Sequence, residues 1–219
     1  MKIPKKNTGP LHQAFLMLPL TGIGFFVCLY VLATFYYPGG SNADRNSIGF
    51  DWLNNYWCDL TGNYAKDGAP NPAQPIAMTA LAVLCSALSA FWYQISRFAN
   101  VGDGAMMMRY PGMASVTGML LLFTHLHDAV VGVCGALGLL AVGSLTANLQ
   151  KSGFKRLESL GIVFIVAMLL NYGIYVSDLL IAWLPLIQKC TFLLFLLWIA
   201  LVDYHLCLKG NANLHKQDF

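Results

Sequence analysis

The sequence predicts an all-α, polytopic membrane protein: a bundle of six transmembrane helices with one structured extracytoplasmic loop. The first observation is composition. Of 219 residues, 57% are hydrophobic and 11% charged, whereas a soluble domain is about a quarter charged. The second is that apolar runs of membrane-crossing length recur along the chain, without the alternation of barrel strands. The third is that basic residues fall almost entirely on one side of those runs.

The spans are placed near 14–37, 74–96, 107–126, 128–149, 159–180 and 184–207, making 1–219 a single membrane domain. The start, with Lys2, Lys5 and Lys6 before an apolar run, resembles a signal peptide. That run, from Ala14 to Tyr37, is too long for a signal core and lacks a small-residue cleavage pattern, so an uncleaved first span is expected. Tyr110 to Leu149 is too long for one crossing, and His125, His127 and Asp128 divide it into a hairpin. Trp183 and Pro185 mark the turn before the last span.

With six spans, Lys2, Lys5, Lys6, Arg97, Arg109, Lys151, Lys155, Arg156, Lys209 and Lys216 share one side. Only Arg45, Lys66 and Lys189 fall elsewhere. The positive-inside bias then places both termini in the cytoplasm of a multi-pass cell-membrane protein.

Small residues suggest where helices meet. Gly132, Gly135, Ala136, Gly138 and Gly143 mark the fourth span, and Thr79, Ala82, Ser86, Ser89 and Ala90 the second. Such faces let helix backbones approach closely in lipid. Asp128 lies on the glycine face by helical spacing and is expected to point inward, as intramembrane charges do. The six cysteines show no pairing or paired-cysteine metal spacing.

The segment from Pro38 to Ala73 is the one long loop and is too aromatic for a disordered linker. Within it, Phe50, Leu53, Trp57 and Leu60 fall on one helical face, so 50–60 is expected to form an amphipathic helix at the interface. Other polar residues converge on this side: His125, His127 and Asp128 at the hairpin, Asn171, Tyr175 and Asp178 at i, i+4, i+7, and Gln188 with Lys189 early in the last span. Together with Asp59 they form a candidate ligand pocket. Lys189 either snorkels outward or pairs with Asp178, Asp128 or Asp59.

His125, His127 and Asp128 are candidate metal ligands, with Asp59 a further oxygen donor, in a set suited to zinc. A zinc-activated water could then attack a lipid ester or amide. No other cofactor is expected. His12 and His205 near the inner helix ends read as interfacial histidines rather than a haem pair. No basic run suggests nucleic acid, and no phosphate-binding, dinucleotide or nucleophile-elbow motif is present.

YPGG from Tyr37 to Gly40, GFDWLNNYWCDL from Gly49 to Leu60, and LPLIQK from Leu184 to Lys189 resemble a pattern in small bacterial multi-span membrane proteins of uncharacterised function. That resemblance implies a six-helix bundle and no known activity. The chain is also distantly similar to the membrane-embedded hydrolases of the alkaline ceramidase and progestin-receptor-like superfamily. Those use an Asp, a Ser and three His around zinc in seven spans. The likeness implies such roles for Asp59 and for His125 or His127; a third outer-side histidine is missing here.

The expected function is binding of a lipid or other amphiphile in an outward-facing polar pocket roofed by the loop. The alternatives are a metal-dependent lipid hydrolase and a small transporter, the latter without repeats to support it. Membrane lipids are the expected partners, with a second copy or another membrane protein as further candidates.

Overall fold

The structure, a computed structural model, describes residues 10–98, 102–121 and 127–215, with side chains over 14–95, 105–121 and 129–205. It contains six α-helices: α1 Pro10–Thr34, α2 Gln74–Phe98, α3 Gly102–Gly118, α4 His127–Lys151, α5 Lys155–Ser177 and α6 Leu184–His215. Short 3-10 turns cover Trp57–Thr61, Met119–Leu121 and Ile181–Trp183. Among the described residues the only β-type pairings are the bridges Gly39–Ile48 and Tyr64–Pro70.

Five segments are long and apolar enough to cross a membrane: Ala14–Thr34, Gln74–Ile95, Ala129–Lys151, Lys155–Ser177 and Ile181–His205. The third helix departs from expectation. α3 has 17 residues, about 25 Å at 1.5 Å per residue, which is short of the roughly 30 Å core. It begins before the predicted 107 and stops at Gly118, where Met119–Leu121 tighten into a 3-10 turn.

Each helix packs on its neighbours in chain order, and α6 closes the ring on α1. Contacts establish antiparallel packing. Gln94 Nε2 near the end of α2 donates to Phe15 O near the start of α1 at 2.6 Å. Ser115 Oγ donates to Cys134 O at 2.8 Å between α3 and α4. Trp198 Nε1 of α6 donates to Leu157 O at the start of α5 at 2.8 Å. Phe26 of α1 meets Phe192 of α6 edge-on at 5.7 Å. The ring therefore has a loop end, carrying residues 35–73, and a basic end, carrying Arg109, Lys151, Lys155 and Arg156.

The packing seams differ from those predicted. In α2, Ala77, Ala80, Leu84, Ala87 and Phe91 are buried, whereas Thr79, Ala82 and Ser86 are exposed. The Thr79 and Ser86 hydroxyls donate to Pro75 O and Ala82 O one turn back, both at 2.8 Å. Satisfied by their own helix, they need no interior position. α1 approaches α2 where a Cβ on Gly22 would lie 2.3 Å from the Ala87 Cβ. In α4, Gly132 and Gly143 face open space, and contact with α3 runs instead through Gly138 beside Ser115 and Cys134 beside Gly118.

Candidate functional site

Residues 38–73 form a cap over one end of the ring, held by side chains rather than by a helix. The expected amphipathic helix over 50–60 is absent; a 3-10 turn begins only at Trp57. Asp51 supplies the reason. Its Oδ1 accepts the Leu53 and Asn54 N–H groups at 2.9 and 3.2 Å, and its Oδ2 accepts Asn54 Nδ2 at 2.8 Å. A carboxylate that captures the backbone donors ahead of it offers them a turn in place of a helix. Partial burial works against the ionised form of Asp51, but these hydrogen bonds and the Lys189 charge outweigh it, so its pKa lies below the ordinary value. Leu53, expected on the apolar face, is exposed, and Leu60 is buried.

Two asparagines act as hubs. Asn55, fully buried, donates from Nδ2 to Gly40 O at 2.9 Å and to Asp59 Oδ2 at 3.0 Å, and accepts the Asp51 N–H at 2.8 Å. Asn71 Nδ2 faces the carbonyls of Asp59, Leu60 and Gly62 at 3.3, 3.1 and 2.9 Å, while its Oδ1 accepts the Ala73 N–H at 3.1 Å. The YPGG turn serves the same core. Gly40 has φ +78°, and a Cβ there would come within 2.3 Å of Asp67 N. Tyr37 Oη accepts the Lys66 N–H at 2.9 Å.

The cap is fastened to the helices through Tyr30 and Lys189, besides Gln74 Nε2 at the start of α2, which donates to Thr61 O and Asn63 Oδ1 at 3.2 and 2.6 Å. Tyr30 of α1 donates its hydroxyl to Trp57 O at 2.9 Å, within an aromatic cluster in which Trp57 lies 4.9 Å from Tyr30 and 5.9 Å from Trp52. Lys189, in the second turn of α6 and 4% exposed, donates from Nζ to Asn55 O. Phe50 lies beneath the same ammonium, 5.9 Å from its ring centroid, and the Asp59 and Asp51 carboxylates act on it electrostatically. Asp59 Oδ1 also pairs with Lys66 at 3.4 Å, and its Oδ2 accepts the Tyr56 N–H at 2.9 Å.

The expected pocket residues thus separate into groups. Asp59 and Lys189 meet through Asn55 under the cap. Tyr175 lies near enough to Tyr56 to act on its phenol, whose pKa is raised by burial first, then by Cys58 and Asp59, and last by Tyr175. Asn171 turns inward, donating to Thr191 Oγ1 at 2.5 Å and Ala167 O at 3.0 Å; its Oδ1 is buried without a donor. Asp178 ends α5 in the left-handed region, φ 57°, and is exposed, as is Gln188. His125 lies outside the described residues. His127 and Asp128 begin α4, but their side chains lie outside the described set. Among the described residues no group of three or more His, Cys, Asp or Glu is placed to hold a metal.

Sequence reasoning missed Tyr30 and Asn71, and put Asn55 with Asp51, Cys58 and Asp59 on the polar face of the 50–60 segment without giving it a part in the site. A tyrosine in an apolar run and asparagines in a polar loop look ordinary until the chain brings their partners to them. The Asn55–Asp59 spacing of four was the one usable signal.

An apolar groove of about 280 Å³ opens beside this end. Ala114, Gly118 and Leu121 form one wall, and Val130, Cys134 and Leu137 of α4 form the other. Among the described residues on its flank, Leu121 and Val133 are exposed. Comparison with protein-family models, with curated proteins and with solved structures finds no match to this chain.

Proposed function

We propose that the chain is a multi-pass cell-membrane protein that holds a lipid or similar amphiphile at the loop end of its helices. The groove between α3 and α4 carries this reading. Its lining is aliphatic apart from Cys134, it opens sideways, and its volume of about 280 Å³ is close to the lower end of small-molecule sites, roughly 300 Å³. That suits part of an acyl chain rather than a polar metabolite. The reading keeps the ligand class expected from sequence but moves its seat. Lys189 and Asn55 are already bonded to each other, so the cap junction is not the ligand's seat.

Charge supports the orientation. Arg109, Lys151, Lys155 and Arg156 stand at one end, while Asp44, Asp51, Asp59 and Asp67 dominate the cap. The cap is then extracytoplasmic and both termini are cytoplasmic. With both termini on one side, α3 completes a sixth crossing despite its length, by local thinning of the bilayer.

The test is photo-crosslinking in reconstituted vesicles with a phospholipid bearing a diazirine on its acyl chain. Adducts are expected to concentrate on residues 114–121 and 129–137. Val133→Trp, which fills the groove from an exposed position, is expected to remove most of them. Labelling spread evenly over all lipid-facing helices, and unchanged by Val133→Trp, would refute the reading.

A further inference from the structure

At the basic end, the geometry points to a second site: a seat for the phosphate of an acidic phospholipid, built where α4 turns into α5. The turn is rigid. Gly153 adopts φ +78°, the Phe154 N–H bonds Leu149 O and the Gly153 N–H bonds Gln150 O, both at 3.0 Å. These are the paired bonds of a Schellman ending, which release the chain directly into α5. Lys155 and Arg156 therefore stand side by side at the start of that helix. With Gly153, Phe154, Leu157 and His205 of α6 they line a cavity of about 310 Å³.

The chemistry of this cavity favours an anion. Lys155 and Arg156 are exposed, and neither makes an ion pair among the described residues, where the recorded one joins Lys66 and Asp59. Glu158, the nearest acid in sequence, pairs with neither. Arginine supplies a fork that matches phosphate oxygens, and lysine a mobile point charge.

Continuity with the helix surface favours a lipid over a free anion. The cavity opens at the head of α5, whose membrane-length window is only 11% buried. Below it, Ile162, Val163, Val166, Leu169 and Leu170 are all exposed. A phosphate seated by Lys155 and Arg156 places its acyl chains along that face. Basic pockets at the cytoplasmic ends of membrane helices hold acidic headgroups in this way.

The experiment uses the full chain in neutral detergent, titrated separately with phosphatidylglycerol, phosphatidylcholine and inorganic phosphate, with binding read by native mass spectrometry. Phosphatidylglycerol is expected to bind more tightly than phosphatidylcholine. Lys155→Gln/Arg156→Gln should weaken phosphatidylglycerol by roughly tenfold, leaving phosphatidylcholine unchanged. Lys151→Gln, on an exposed residue outside the cavity, should stay within about twofold, since local contact rather than the general field sets the preference. Thermal unfolding in phosphatidylcholine checks the fold. Raising salt on the unaltered protein should weaken phosphatidylglycerol selectively, a readout that needs no variant. The proposal is overturned if the double variant keeps its preference, if salt leaves it intact, or if inorganic phosphate binds as tightly as the lipid.

Discussion

The ammonium of Lys189, in the second turn of α6, donates to the backbone carbonyl of Asn55 in the cap, 134 positions away in sequence. This bond ties the last helix to the loop between the first two. Replacing Lys189 with Met keeps the length but leaves a buried carbonyl unpaired, at a cost of about 1–3 kcal/mol. Lower thermal stability in detergent and faster proteolysis within 38–73 are expected. Unchanged cleavage of the cap would show that the bond contributes little.

Asn55→Ala removes three side-chain hydrogen bonds at a fully buried position and should destabilise by about 2–3 kcal/mol. Asn55→Asp is more informative. It puts a second carboxylate where an amide donor now lies 3.0 Å from Asp59 Oδ2. That variant should be worse than Ala at neutral pH and recover as the pH falls toward the ordinary carboxylate range, about 4. Melting curves across pH would check this, and a pH-independent defect would argue against the like-charge explanation.

Asp51 makes the cap itself acid-sensitive. Its pKa lies below the ordinary value, so its contribution is complete above the unfolded value of about 3.9. It is lost as pH falls through the lower, folded value. The hydrogen-exchange protection factors of the Leu53 and Asn54 amides should therefore hold down to about pH 4 and then fall. In Asp51→Asn that acid transition should disappear.

Glycine substitutions should sort by contact rather than by helical position. A Cβ on Gly112 would lie 2.3 Å from the Trp92 ring, so Gly112→Ala should cost about 1–3 kcal/mol by overpacking. Gly132 and Gly143 meet nothing within 4 Å. Gly132→Ala and Gly143→Ala should be neutral or stabilise by roughly 0.4–1 kcal/mol through the unfolded state. Thermal unfolding of the three variants side by side tests the observed α2–α3 contact at Gly112 against a continuous glycine seam along α4.

Helix positions were largely legible in the sequence because long apolar runs mark five of them directly. α2, α4 and α6 begin at Gln74, His127 and Leu184, within a residue of the predicted starts. α3 was harder to read: its first turns are polar, and the apolar residues after Gly118 continue as a 3-10 turn rather than as helix. Lys189 stood out because an isolated charge inside an apolar run is costly, and Asp59 as one of three carboxylates that could pair with it. What joins them could not be seen, since Asn55 owes its role to a backbone carbonyl and to partners in other segments.

By itself, then, the sequence determined where the five long apolar helices lie and at which end of them basic residues gather, since both follow from local hydropathy and charge. Only the tertiary structure decided which helix faces touch, that Asp51 replaces a loop helix with a turn, and that Lys189 fastens the cap. Those outcomes depend on satisfying particular hydrogen-bonding groups in three dimensions, which residue spacing along one segment does not record.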